Sequence, residues 1–96
     1  MNIVLKNSNK TNKRFQVKID KKTIHFGLKG GSTYIDHKDD NKKAAWIARH
    51  KVREIWTKSG IKTAGFWSRW LLWEEPSLTA SIKKIEKKFG VNIKYE

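Results

Sequence analysis

The sequence predicts an α+β fold in which a small N-terminal antiparallel hairpin or sheet packs on about three helices. Over the first third of the chain, apolar residues alternate with polar ones, which is the period of half-buried strands. From Asp39 onward they recur at spacings of three and four, which is the period of one helix face. We expect residues 1–96 to form one domain, mainly β over 1–37 and mainly α over 38–90, with 91–96 compatible with a strand.

The clearest strand prediction is a β-hairpin over residues 14–27. Apolar side chains occupy every second position of residues 15–19, and residues 23–26 repeat that alternation. The connection Asp20–Lys22 is short and polar and begins with Asp, a residue common in tight turns. Two strands joined by such a connection are expected to pair with each other.

Two shorter strands are expected on either side of the hairpin. Ile3–Leu5 are predicted to add an edge strand, separated from the hairpin by a polar stretch. The Gly30–Gly31 pair ends the second hairpin strand, and Tyr34–Ile35 are predicted to form a short third one.

A helix is predicted from about residue 40 to residue 57. Asp39 or Asp40 can cap its start, and Ser59–Gly60 supplies a stop signal. Its buried stripe is predicted at the positions Ala45, Ala48, Val52 and Ile55, widened by Trp56. Its opposite face is predicted to carry the basic side chains Lys42, Lys43, Arg49, His50 and Arg53.

Two more helices are expected in the C-terminal part of the chain. The first is the nearly all-apolar stretch Phe66–Trp73, which is typical of a buried helix. The second follows Pro76, with Ser77 as an alternative cap, and Gly90 is placed to end it. Its apolar stripe is Leu78, Ile82, Ile85 and Phe89, and alternation over 91–95 is compatible with a terminal strand that pairs with the N-terminal sheet. The predicted core combines Trp46 or Trp56 with Phe66, Trp70, Trp73, Ile82, Ile85 and Phe89.

The charge balance points to a polyanionic partner. The chain has 22 Lys and Arg against 9 Asp and Glu, a formal net charge of +13. The excess is +7 over residues 1–31 and +5 over residues 38–63, but only +2 over residues 64–96. A surface that needed only solubility would mix both signs, so this surplus favours binding to a polyanion.

Two groups of side chains are candidates for phosphate contact. The first is the hairpin group Lys18, Lys21, Lys22 and Lys29, for which protection of an exposed strand edge is an equally good interpretation. The second is the helix group Lys42, Lys43, Arg49, His50 and Arg53. Lysines outnumber arginines 18 to 4, which favours contact with the phosphate backbone over recognition of particular bases.

The aromatic helix offers a candidate partner contact at Trp67 and Arg69. Trp67 lies opposite Phe66 and Trp70, so it is either exposed for stacking or insertion, or part of the core, as most aromatic residues of a small domain are. Arg69 can stack on an indole, or reach a phosphate or an acidic partner.

The sequence carries no pattern that indicates an enzyme. With no cysteine, it has no disulfide, thiolate zinc site or cysteine nucleophile. The densest group of acids and histidines, at residues 36–40, matches no metal-binding spacing and is better explained as a helix cap. Residues 27–31 indicate a turn rather than a phosphate-binding loop. We therefore expect no catalytic residues, metal, cofactor or small-molecule substrate.

Three motifs carry a resemblance to a known family. They are His-Lys-Asp at 37–39, Arg-His-Lys at 49–51 and Thr-Ala-Gly-Phe-Trp-Ser-Arg-Trp at 63–70, followed by a Pro-Ser-Leu start to the last helix. The sequence over 34–90 resembles the small basic proteins of uncharacterised function encoded by large nucleocytoplasmic DNA viruses of algae and protists. The resemblance implies a viral origin and brings no catalytic residues, because that family has no assigned activity.

Three functions are compatible with these observations. The first is non-enzymatic binding of nucleic acid through phosphate contacts, without sequence specificity, in a protein associated with the virion. The alternative is a minor capsid or cement protein that docks on acidic capsid surfaces, and the third is a host-directed effector that docks through an exposed aromatic helix. We expect no membrane partner and no secretion, since no stretch is long and apolar enough for a spanning helix or signal peptide. The expected location is the virion or the infected cell, in cytoplasm or nucleus.

Overall fold

Four strands form one sheet in the order β3-β2-β1-β4. Their bounds in the computed structural model, which describes residues 1–96, are Asn2–Asn7 for β1, Lys13–Ile19 for β2, Lys22–Leu28 for β3 and Asn92–Tyr95 for β4. Together with the helices described below, this sheet confirms the predicted α+β class.

The predicted hairpin is present as β2 and β3. The two strands are antiparallel, and Ile19 pairs with Lys22, so that only Asp20 and Lys21 form the turn. Asp20 has a φ of 55°, a left-handed conformation that Asp tolerates better than most residues. The polar connection in the sequence therefore marks the position of the turn correctly.

The prediction that the first strand lies at an edge of the sheet was wrong. β1 pairs with β2 on one side and, in the parallel sense, with β4 on the other. The C-terminal strand thus joins the N-terminal sheet as expected, and it makes β1 central. Ile3 and Leu5 are almost completely buried on the inner face, which agrees with a central position.

Four helices complete the fold. They are α1 at Tyr34–His37, α2 at Asp40–His50, α3 at Ala64–Trp67 and α4 at Leu78–Phe89. A short 3-10 turn occupies Lys58–Gly60, and α3 continues directly into a π-helical turn at Ser68–Leu72. No helix is long and apolar enough to cross a bilayer.

The strand predicted at Tyr34–Ile35 is instead the start of α1. The Asp36 carboxylate accepts a hydrogen bond from the Thr33 backbone N–H at 2.9 Å, as in a capping box. This local bond favours a helical turn over an extended chain, so the helical part begins four residues before the predicted boundary at 38.

The predicted helix over 40–57 is shorter than expected and has a different buried face. It ends at His50, and Val52 and Ile55 are 77% and 59% exposed. Ala45 and Ala48 are exposed as well, while Trp46 is buried. The helix is rotated because a buried Trp removes far more apolar surface from water than two alanines do.

The early end of α2 follows from the position of Trp56. In a continuous helix Trp56 would lie about 15 Å along the axis from Trp46. The two rings are instead stacked with centroids 5.9 Å apart, which requires the chain to turn back after His50. Asp39 caps the start of α2 as predicted, by accepting from the backbone N–H groups of Asn41 and Lys42.

The last helix and its ends agree with the prediction. Ser77 caps α4 by accepting from the Ala80 N–H at 3.1 Å. Gly90 ends it with a left-handed φ of 65°, a conformation that glycine adopts without strain. Ile85 is fully buried, and Leu78, Ile82 and Phe89 pack against the core, which lies between the sheet and the helices.

Candidate nucleic-acid interface

The hairpin lysines do not form one cluster. Lys18 lies on the outer face of the sheet between the buried residues Val17 and Ile19, while Lys21 and Lys22 lie at the β2–β3 turn. Lys29 follows the opposite end of β3, about 23 Å from Lys22 along the strand. Since β3 is an edge strand, protection of that edge remains a valid explanation for Lys22.

Two residues of the helix group share the exposed side of α2. Lys42 and Arg49 are seven positions apart, which places them on the same side of the helix with the exposed Ala45 between them. Neither cation has a carboxylate within 4.0 Å. Arg53, just beyond the end of α2, is likewise exposed and without such a partner. We call Lys42, Arg49 and Arg53 the α2 cations.

The other two members of the helix group are held by contacts with other residues of the protein. The Lys43 ammonium donates to the Glu74 carbonyl oxygen at 2.7 Å and lies 4.9 Å from the centre of the Tyr34 ring. The His50 ring stacks on Trp46 with centroids 4.2 Å apart, and its Nδ1 lies 3.2 Å from a Glu54 carboxylate oxygen. These contacts leave the α2 cations as the free positive charges of this group.

Every carboxylate of the protein has an internal partner. Five of the nine lie within 4.0 Å of a Lys or Arg, namely Asp20, Asp36, Glu74, Glu75 and Glu96, and Glu54 accepts from the Trp56 indole N–H and lies beside His50. Asp39 caps α2, Asp40 accepts from the Tyr34 hydroxyl at 2.6 Å, and Glu86 accepts from the Ile93 N–H at 2.9 Å. Only six of the 22 Lys and Arg side chains lie within 4.0 Å of a carboxylate, so sixteen remain unpaired.

The acids predicted to be cap residues rather than metal ligands are held by other groups. Asp36 forms two hydrogen bonds with the Arg14 guanidinium, at 2.6 and 2.8 Å, and this contact holds the pKa of its carboxyl far below the usual range. The hydrogen bond to Asp40 raises the pKa of Tyr34. No group of three or more His, Asp and Glu side chains is arranged to share a metal ion.

Arg69 belongs to a cluster of charges around Glu74. Its guanidinium lies 2.6 Å from one Glu74 carboxylate oxygen and 4.5 Å from the centre of the Trp70 ring, so the predicted stacking on an indole is confirmed. Lys84 donates to the other oxygen. Burial would raise the pKa of Glu74, but the hydrogen bonds from Lys84 and Arg69 outweigh burial and lower it. Arg69 thus has an internal role.

The prediction of a partner contact at Trp67 is wrong. Its side chain is completely buried, and its indole N–H donates to the Ile61 carbonyl oxygen at 2.7 Å. The neighbouring Phe66, Leu71 and Leu72 are buried as well. Trp67 is a core residue, and the hypothesis of an effector that docks through an exposed aromatic helix loses its support.

Three adjoining clefts were not foreseen from the sequence. The basic cleft, of about 510 Å³, is lined by Lys13, Arg14, Lys29 and Gly31 among others. The aromatic cleft, of about 410 Å³, shares Lys13 and Gly31 with it and is also lined by Trp46, Trp73, His50, Glu54 and Gly65. The Arg53 cleft, of about 210 Å³, shares Glu54 and Gly65 with the aromatic cleft. The walls come from distant parts of the chain, so no local pattern indicates them.

Glu54 packs against α3 at Gly65, where the lack of a side chain leaves room for it. A Cβ atom at Gly65 would lie 2.8 Å from the Glu54 carboxyl carbon, closer than such atoms approach in proteins. The Trp56 indole N–H donates to Glu54 at 3.0 Å, and His50 lies beside its other oxygen. The segment after α2 is therefore fixed where the aromatic and Arg53 clefts meet.

The fold and the surface define a small basic α+β domain whose acids are all used internally. The chain belongs to a family of unknown function, DUF5754, which matches residues 3–50. This range contains β1 from its second residue, β2, β3, α1 and α2, and it ends before α3. No curated protein and no solved structure matches the chain.

Proposed function

We propose that the protein is a non-enzymatic, strongly basic protein that binds nucleic acid through phosphate contacts. The observation that carries this proposal is the internal use of all nine carboxylates while sixteen Lys and Arg side chains remain unpaired. These sixteen cations give the surface a positive potential, which attracts a polyanion and favours release of its counterions.

The α2 cations are the proposed primary contacts. The exposed side of α2 carries small alanines beside Lys42 and Arg49, which allows a close approach to a phosphate backbone. The lysines of α4 are less suitable, because residues 74–96 carry four of the nine acids. Lys18, Lys21, Lys22 and Lys29 add positive potential on other parts of the surface.

Binding without sequence specificity follows from the kind of cation exposed. Arg49 and Arg53 are the only exposed arginines, and fourteen of the sixteen unpaired cations are lysines. Lysine acts as a point charge toward phosphate, whereas arginine is the residue that pairs with a guanine edge through two hydrogen bonds. The resemblance to proteins of large DNA viruses implies a viral origin, and we propose that this binding serves in the virion.

A salt titration tests the proposal. Binding of a fluorescent duplex and of a single strand is measured by anisotropy between about 50 and 200 mM NaCl, where three contacts to the duplex give a slope of log affinity against log salt of about −2.7. Two duplexes of equal length and different sequence serve as the control and are expected to bind equally. Absence of binding at the lowest salt would contradict the proposal and favour the alternative of docking on an acidic capsid surface.

A further inference from the structure

The three clefts adjoin one another, and we call them together the groove; aromatic rings line its middle cleft. The basic and aromatic clefts share Lys13 and Gly31, and the aromatic and Arg53 clefts share Glu54 and Gly65. The groove thus runs from Lys29 past the aromatic cleft to Arg53. Lys29 and Arg53 line only the end clefts, and Lys13 lies where the basic and aromatic clefts meet.

The centre of the groove presents a ring that can be stacked upon. Trp73 and His50 lie nearly parallel to Trp46, with interplanar angles of 10° and 17°. Trp46 and Trp73 are mostly buried, while the His50 side chain is 29% exposed and lines the cleft. Histidine is among the side chains on which unpaired bases stack. The volume of about 410 Å³ is within the usual range for a ligand pocket.

The charges along the groove favour phosphate groups near its two ends and a neutral ring near Glu54. Arg14 is neutralised by Asp36, but Lys13 and Lys29 have no carboxylate within 4.0 Å. Arg53 is free in the same way at the other end. The Glu54 carboxylate repels phosphate from the centre, and its oxygens can accept hydrogen bonds from a ring N–H or an amino group.

We infer that the groove binds a single-stranded segment of nucleic acid. One unpaired base stacks on His50 in the aromatic cleft, and the flanking phosphates contact Lys13 and Lys29 at one end and Arg53 at the other. This inference rests on the proposed function and adds a preference for unpaired strands. A duplex cannot use the centre of the groove, because its bases are stacked and paired inside the helix.

Comparison of two probes with equal charge tests the stacked base. The first is a deoxyadenosine oligomer of about eight nucleotides, and the second is an abasic oligomer with the same number of phosphates. The oligomer with bases is expected to bind about tenfold more tightly. Equal affinity for both would overturn the inference and leave the proposed function intact, whereas absence of binding to either would overturn both.

Variants of His50 separate stacking from charge and from structure. The substitution His50→Ala is expected to remove the preference for the oligomer with bases, while His50→Phe, which keeps an aromatic ring, is expected to retain it. Thermal denaturation of both variants checks that they are folded. An undiminished preference in folded His50→Ala would overturn the inference, as would its loss in folded His50→Phe.

Variants of the groove ends test the path of the strand. With the deoxyadenosine oligomer, Lys13→Gln and Arg53→Gln are each expected to reduce the steepness of the salt dependence by about 0.7. Lys87→Gln is the matched control, because Lys87 is exposed on α4 without an ion pair and lies outside the groove. An equal effect of all three substitutions would overturn the groove as the binding path.

Discussion

One pair of neighbouring positions on α2 separates phosphate contact from internal structure. Lys42 and Lys43 are adjacent, yet Lys42 is exposed and the Lys43 ammonium donates to the Glu74 carbonyl oxygen. The double substitution Lys42→Ala with Arg49→Ala should remove two contacts to a duplex. The slope of log affinity against log salt should then become less steep by about 1.8.

Lys43→Ala should lower the stability of the protein and leave the salt dependence of binding unchanged. It removes the hydrogen bond of 2.7 Å to Glu74 and the contact with the Tyr34 ring, which together contribute about 1–2 kcal/mol to the free energy of unfolding. For a domain of this size, the melting temperature should fall by about 5–15 °C. The salt slope should remain that of the unmodified protein, because the Lys43 ammonium is not available to phosphate.

The assay combines anisotropy of a fluorescent duplex at several salt concentrations with calorimetric melting of each variant. The double variant should melt close to the unmodified protein, since Lys42 and Arg49 have no ion pair and alanine favours a helix. A normal slope in the double variant together with a reduced slope in Lys43→Ala would refute the assignment of the exposed side of α2.

Three further predictions concern stability, and each is measured by denaturant or thermal unfolding. Trp46→Ala should cost about 3–5 kcal/mol, whereas Ala48→Gln on the exposed side should change stability by less than about 0.5 kcal/mol; the reverse order would contradict the observed rotation of α2. Glu74→Gln should cost about 2–4 kcal/mol, because Arg69 loses its partner while it is 12% exposed; an unchanged midpoint would show that the cluster contributes nothing. Because the pKa of Asp36 is lowered in the folded state, its carboxylate stabilises the fold at pH values above its unfolded-state pKa of about 3.9. This contribution is lost as the pH falls through the folded-state pKa. Asp36→Asn should therefore make stability fall less steeply below about pH 4, and an identical acid profile would contradict the role of the Arg14 contact.

The hairpin and α4 could be predicted because local patterns determine them. Asp20 marks a turn through its own conformational preference, and Ser77 and Gly90 mark the ends of α4 through local hydrogen bonding and a left-handed φ. Neither the hairpin turn nor these caps depends on a distant part of the chain.

The face of α2 and the groove could not be predicted because distant contacts decide them. Alanines at helical spacing predicted one buried face, but stacking of Trp46 on Trp73, 27 positions away, selected another. The sequence also gave no sign that Lys43 reaches the Glu74 carbonyl oxygen. The number of free cations therefore follows from tertiary structure, although the total charge is evident from composition.

Mapping of the bound duplex on the protein is the most direct test of the central claim. In a two-dimensional amide NMR spectrum titrated with a short duplex, the largest shifts are expected at Lys42, Ala45 and Arg49 on the exposed side of α2. Lys83 and Lys87 of α4 are the internal control, because they are also exposed cations without an ion pair. Shifts concentrated on α2 would support phosphate binding by the α2 cations, and shifts of equal size on both helices, or none on either, would contradict it.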